Sequence, residues 1–199
     1  LPTSNAGTAI TTCSNSGAIN ITAGSSATNQ TSITWTSSGT GSFANANSLT
    51  TCTYNPSAAD ITAGSVTLTL TVSNSGCSNV TTTKTLTINL LPTANAGTAV
   101  TTCSNSGAIN ITAGSTATNQ TSITWTSSGT GSFTNANSLT TCTYNPSAAD
   151  ITAGSVTLTL TAYGNTSCSN VTATKTLTIS TLPTSNAGTA ITTCSNSGA

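Results

Sequence analysis

Shifted by about 90 positions, the sequence matches itself: residues 1–90 and 91–181 agree at about 79 of 90 positions, with one extra residue in the second copy. A third copy opens at Leu182 with LPTSNAGTAITTCSNSGA and runs to Ala199. Repetition at this level decides the architecture before any residue is read singly, because each copy must fold the same way. A period of this length is too long for one coil of a solenoid and suits one small β-sandwich of roughly 100 residues. The expected organisation is two complete repeats, 1–90 and 91–181, then the N-terminal part of a third, 182–199, in an array cut at both ends.

Within the first copy, AINIT (18–22), SITWT (32–36), LTTCTY (49–54), SVTLTLTV (65–72) and TKTLTINL (83–90) alternate apolar with polar residues. Period two means strands with one buried face. The inward set is Ile19, Ile21, Ile33, Trp35, Tyr54, Val66, Leu68, Leu70, Val72, Leu86 and Ile88. Gly, Asn, Ser and Pro cluster between these runs and make turns. Residues 55–64 read as a corner, in which Pro56 sets φ and Ser57 with Asp60 forms a capping box on a short helical turn. The class is all-β.

Charge excludes most chemistry. The 199 residues carry two Lys, two Asp or Glu in total, no Arg and no His, against about a quarter charged in an ordinary domain. General acid–base catalysis and metal sites draw on clustered His, carboxylates and thiols. One Asp and one Lys per repeat cannot assemble them, so no enzyme activity, no metal and no cofactor is expected. Without a basic face, nucleic acid is a poor partner. No apolar run approaches the ~20 residues of a membrane span, so no insertion is expected in this segment. A net charge of zero favours association with like chains.

The string PTANAGT, a Cys, ITWTSSGTGSF, NANSLT, TYNPSAADITAGSVTLTLT, a second Cys and TKTLTI resembles the tandem PKD-like, immunoglobulin-like repeats of secreted adhesins and surface fibres of Bacteroidota-type bacteria. YNPSAADITAGSVTLTLT is its most specific part. The resemblance implies tandem β-sandwich domains, type IX secretion, an extracellular or cell-surface location and no active site. Cys52 and Cys142 depart from it, standing where those repeats hold Thr or Ala.

Seven cysteines, Cys13, Cys52, Cys77, Cys103, Cys142, Cys168 and Cys194, point to an oxidising compartment. In an immunoglobulin-like strand order, Cys13 and Cys52 fall at the pole where the chain leaves the domain, and Cys77 at the opposite pole. The candidate arrangements are Cys13–Cys168 across the junction, Cys13–Cys52 within a domain, Cys13–Cys77, and thiols left free or linking chains. Lys84 shares the inward parity of Leu86 and Ile88. Its stem is expected to cover apolar surface while the ammonium reaches water or Asp60. Trp35 and Tyr54 are expected in the core.

Two functions are expected on these grounds. The first is a structural repeat stalk or self-assembled filament, stiffened by disulfides and serving attachment or matrix. The second is a module that binds a ligand or surface glycan through Asn/Ser/Thr-rich loops.

Overall fold

The computed structural model describes residues 1–192; Cys194 lies outside the described residues. The first copy forms β1 (Thr3–Asn5), β2 (Ile10–Cys13), β3 (Ile19–Asn20), β4 (Ser26–Thr28), β5 (Ser32–Ser37), β6 (Ser42–Ala44), β7 (Thr53–Asn55), helix α1 (Ala58–Ala63), β8 (Ser65–Asn74) and β9 (Cys77–Asn89). The second repeats that order as β10 (Thr93–Asn95), β11 (Val100–Cys103), β12 (Ile109–Asn110), β13 (Thr116–Thr118), β14 (Ser122–Ser127), β15 (Ser132–Thr134), β16 (Thr143–Asn145), α2 (Ala148–Ala153), β17 (Ser155–Tyr163) and β18 (Val171–Ser180).

In each copy a four-stranded sheet, β2-β9-β8-β5 or β11-β18-β17-β14, is joined by a three-stranded sheet, β3-β7-β6 or β12-β16-β15, and by a short pair, β1-β4 or β10-β13. The long hairpin β8–β9 owes its length to uninterrupted alternation. Val66, Leu68, Leu70 and Val72 face Leu86 and the interior, while Thr67, Thr69 and Thr71 pair across the outer face with Thr85, Thr83 and Thr81. Cross-strand Thr pairs of this kind suit a pleated surface facing water.

Two cores result. One gathers Ile21, Trp35, Tyr54, Leu68, Leu70 and Leu86, the other their counterparts Ile111, Trp125, Tyr144, Leu158, Leu160 and Leu177. Trp35 and Tyr54 are core residues, as their parity predicts.

Several boundaries differ from the alternation. The strand read over 18–22 shrinks to Ile19–Asn20, because the Asn20 side chain accepts from the Thr22 amide and hydroxyl and so turns the chain. That read over 49–54 starts only at Thr53, because the Ser48 hydroxyl takes the amides of Thr50 and Thr51. Side chains that hydrogen-bond their own neighbourhood compete with the ladder. Strand β9 begins earlier than expected, at Cys77, since Ser75 and Gly76 alone make the turn, with Gly76 at φ 92°. The capping box forms: the Ser57 hydroxyl accepts from the Asp60 amide, and the Asp60 carboxylate accepts from the Ser57 amide.

Strand β2 positions the functional region. It runs parallel to β9, with Cys13 opposite Asn89, and therefore ends where the chain passes to the second copy.

Candidate functional site

The residues with chemical potential fall into three groups, and one of them joins the two copies.

At the joint, the Ser14 amide donates to the Asn89 carbonyl (2.8 Å) and the Leu91 amide donates to the Ser14 hydroxyl (3.0 Å), which ties the outgoing chain to the end of β2. From the second copy comes the turn between β17 and β18, which carries the one-residue insertion. The Asn165 side chain organises it by accepting from the Ser167 amide, the Ser167 hydroxyl and the Cys168 amide, as Asn does in side-chain-closed turns. Ser167 and Cys168 are thereby presented to the first copy. The Asn89 side-chain amide donates to the Ser167 hydroxyl at 2.8 Å. Cys168 is disulfide-bonded to Cys13, with Cα atoms 5.0 Å apart, inside the range such bonds require. The Cys168 sulfur lies 3.5 Å from the carbonyl oxygens of Asn89 and Leu90; a bonded sulfur has no proton to donate, so these are packing contacts.

Burial reports the same joint. Cys13 is 4% exposed and Cys168 6%, whereas their counterparts Cys103 and Cys77 are exposed and unbonded among the described residues. Within one copy these positions are far apart. Cys77 opens β9 and Cys13 pairs with Asn89 at its other end, so a 13-residue strand separates them by roughly 40 Å at the usual rise. That distance forbids a Cys13–Cys77 bond within a copy.

The second group is in the core. Cys52 and Cys142 are unbonded and pack within the two core clusters, to which Cys13 does not belong, rather than beside Cys13 at the domain pole where the strand order placed Cys52. Lys84 also departs from expectation. It is buried, and its ammonium, rather than reaching water or Asp60, crosses the interior to donate to the Ile21 carbonyl, 5.1 Å from the centre of the Trp35 ring. The Ile21 amide in turn donates to the Cys52 carbonyl at 3.1 Å. Lys175, Ile111, Trp125 and Cys142 repeat the arrangement. Burial pushes the Cys52 thiol up to about 11, opposed by the Lys84 charge, and pushes the Lys84 ammonium below its ordinary value. A protonated thiol sealed in the core is inert.

The third group surrounds Asp60. Asp60 is unavailable to Lys84 because its carboxylate already accepts from the Tyr54 hydroxyl (2.7 Å), the Gly41 amide (2.9 Å), the Thr40 amide (3.0 Å) and the Ser57 amide (3.0 Å). Burial raises the carboxyl's proton affinity, but hydrogen bonds from Tyr54, Ser57 and Thr40 outweigh it and hold Asp60 below the usual range. The same balance places Asp150 at about 2. A carboxylate so saturated has little capacity left as a base or ligand. Among the described residues no group of three or more His, Cys, Asp or Glu could hold a metal ion, and no helix is long and apolar enough to cross a membrane.

No protein-family model and no curated protein matches the sequence. Solved structures do match in shape. Sidekick-1 immunoglobulin domains 1–4 align with a TM-score of 0.51 at 15% identity over 90% of this chain and 48% of that one. The titin I-band fragment I67–I69 aligns with a TM-score of 0.52 at 13% identity over 90% of this chain and 66% of that one. The chain thus spans from about half to two thirds of these neighbours' lengths. At such identity the likeness concerns the fold alone: this is an all-β protein of immunoglobulin-like β-sandwich architecture.

Proposed function

We propose that the chain is a non-enzymatic, structural extracellular protein of the PKD-like repeat type, in which sandwich domains 1–90 and 91–181, with 182–199 opening a third, form a stalk or self-assembled filament. The observation that carries this reading is the Cys13–Cys168 bond between the copies. Two separate cores linked by one peptide strand would swivel freely. Here the disulfide, the Asn89–Ser167 hydrogen bond and the Leu91–Ser14 hydrogen bond add three further attachments, so the pair is held as a rod. Disulfides persist in oxidising compartments, which supports a secreted or surface location. Closing 155 residues of chain also constrains the unfolded state by about 5 kcal/mol in the chain-entropy picture.

Proteolysis without reduction, followed by mass spectrometry, is expected to yield one peptide pair joining Cys13 to Cys168. Small-angle scattering should show the pair gain flexibility on reduction. Bonds confined to cysteines of one copy, or a scattering profile indifferent to reduction, would overturn the reading. A glycan-binding module is the second reading, supported by the polar depression that recurs at Asn45, Asn47, Ser48 and Thr51 and again at Asn135, Asn137, Ser138 and Thr141. Retention of the chain on immobilised glycans would favour it.

A further inference from the structure

The two exposed cysteines are not equivalent leftovers. Cys103 stands at the end of β11 in the same backbone frame as Cys13 at the end of β2: the Ser104 amide donates to the Ser180 carbonyl (2.9 Å) as that of Ser14 does to Asn89 (2.8 Å). The amide of Ser106 closes on the Cys103 carbonyl as that of Ser16 does on Cys13. Cys77 opens β9 directly after the two-residue β8–β9 turn, at the sequence position that Cys168 holds in the longer β17–β18 turn. Half a joint is therefore built at each end of the pair.

The sequence identifies the repeat that belongs at the second half-joint. Residues 182–199 repeat residues 1–18 without a difference, whereas 91–108 depart from them at Ala94 and Val100. By this stretch the copy that opens at Leu182 matches the first repeat, in which Cys77 comes directly after a short turn, rather than the second. The side chains around the cysteines agree. In the observed joint Asn89 donates to Ser167. At the other joint Ser180 replaces Asn89 and Gly76 replaces Ser167, so both partners of that hydrogen bond are exchanged together. A short side chain at position 180 opposite Gly76 avoids the orphaned amide that Asn89 would present to a turn without the Ser167 hydroxyl.

Resting on the stapled-array reading, we infer that Cys103 bonds to the Cys77-type cysteine of a repeat of the first kind, forming a second, chemically distinct joint that enforces alternating order. The two thiols lose two protons and two electrons to a small-molecule disulfide, which departs as two thiols. Of the three cysteines in each repeat, two serve joints and the buried one serves the core. Asn89 against a short turn would leave its side-chain amide without the Ser167 hydroxyl, so repeats of the first kind following one another are disfavoured.

The test uses this chain and a version extended after Ala199 by a second copy of residues 19–90, which completes a repeat of the first kind. Both are oxidised with oxidised glutathione, alkylated and mapped. In the extended chain, Cys103 is expected to be bonded to the added Cys77 counterpart and protected from alkylation, and C103A should leave that counterpart alkylated. In the 199-residue chain, a covalent ladder containing Cys103–Cys77 peptides would show that a second copy also serves as the partner, and its absence would restrict the joint to one continuous chain. Cys103 alkylated in the extended chain while Cys13–Cys168 is intact would overturn this inference alone. Loss of both bonds would instead sink the stapled-array reading beneath it.

Discussion

Replacing Asp60 by Asn probes the strongest polar anchor of the fold. The carboxylate serves four donors, one through Oδ1 and three through Oδ2. Asparagine has one acceptor oxygen. Placed at the Oδ2 position it still serves Tyr54, Gly41 and Ser57, but its NH2 then faces the Thr40 N–H, donor against donor. An orphaned N–H costs about 1–3 kcal/mol and three bonds lose their charge assistance, so D60N should destabilise the first repeat by about 3 kcal/mol. With a urea dependence of roughly 1 kcal/mol per molar for a unit this small, the midpoint should fall by about 3 M. Each repeat holds one tryptophan, Trp35 or Trp125. Urea titration under reducing conditions in a W125F background therefore reports the first repeat, and a W35F background the second. The shift should appear only in the first. A shift under about 1 M, or an equal one in the second repeat, would refute the assignment of Asp60 as a saturated anchor. The pH dependence carries the same information. The native carboxyl lies below its unfolded value, at about 2 against 3.8 for Asp150, so the unfolded chain binds more protons between those values. Stability is complete above about pH 4 and declines as pH falls through that window, by about 2 kcal/mol for Asp150 and in the same direction for Asp60; D60N should abolish the first repeat's share.

G39A should destabilise by about 2 kcal/mol through overpacking, because a Cβ there would lie 2.2 Å from Asp60 Oδ1 and 2.7 Å from a Val66 methyl; thermal denaturation measures it. The lysines, with native values lowered by burial, bind fewer protons folded than unfolded as pH approaches their ordinary range. The wild type should therefore gain stability relative to K84M/K175M as pH rises toward the ordinary lysine range, and an unchanged difference in urea midpoint would exclude buried, desolvated ammonium groups. Native-state alkylation at mildly alkaline pH should label Cys77 and Cys103 long before Cys52 and Cys142, whose thiols are buried and pushed up to about 11.

Much of this was readable from residue order. Alternation placed Val66, Leu68, Leu70, Leu86 and Ile88 inward because a pleated strand admits only two faces, and Ser57 with Asp60 announced the helix start because capping is local. Strands β1, β2, β4 and β6 escaped notice, being three or four residues of mostly Ser, Thr and Ala whose pairing depends on distant partners. The parallel placement of β2 beside β9 is such a long-range fact, and it decides where Cys13 lies. The Asp60 site was only half visible, since two of its donors are backbone amides at positions 40 and 41 that no residue type signals. Parity sent Lys84 inward but could not say where a flexible four-carbon stem ends, which the Ile21 carbonyl decides.

The Cys13–Cys168 bond also redraws the path that tension takes through the molecule. Pulled from its two ends, the chain is taut through β1 and β2 to Cys13, crosses the sulfurs to Cys168, and leaves along β18. The intervening 155 residues, roughly 500 Å of extensible contour at full stretch, are short-circuited and release no slack even if a core ruptures. Extension of the pair is thus limited to its outermost strands while the bond holds. The hidden length is released by a reductant rather than by force, which makes compliance a redox property of the joint.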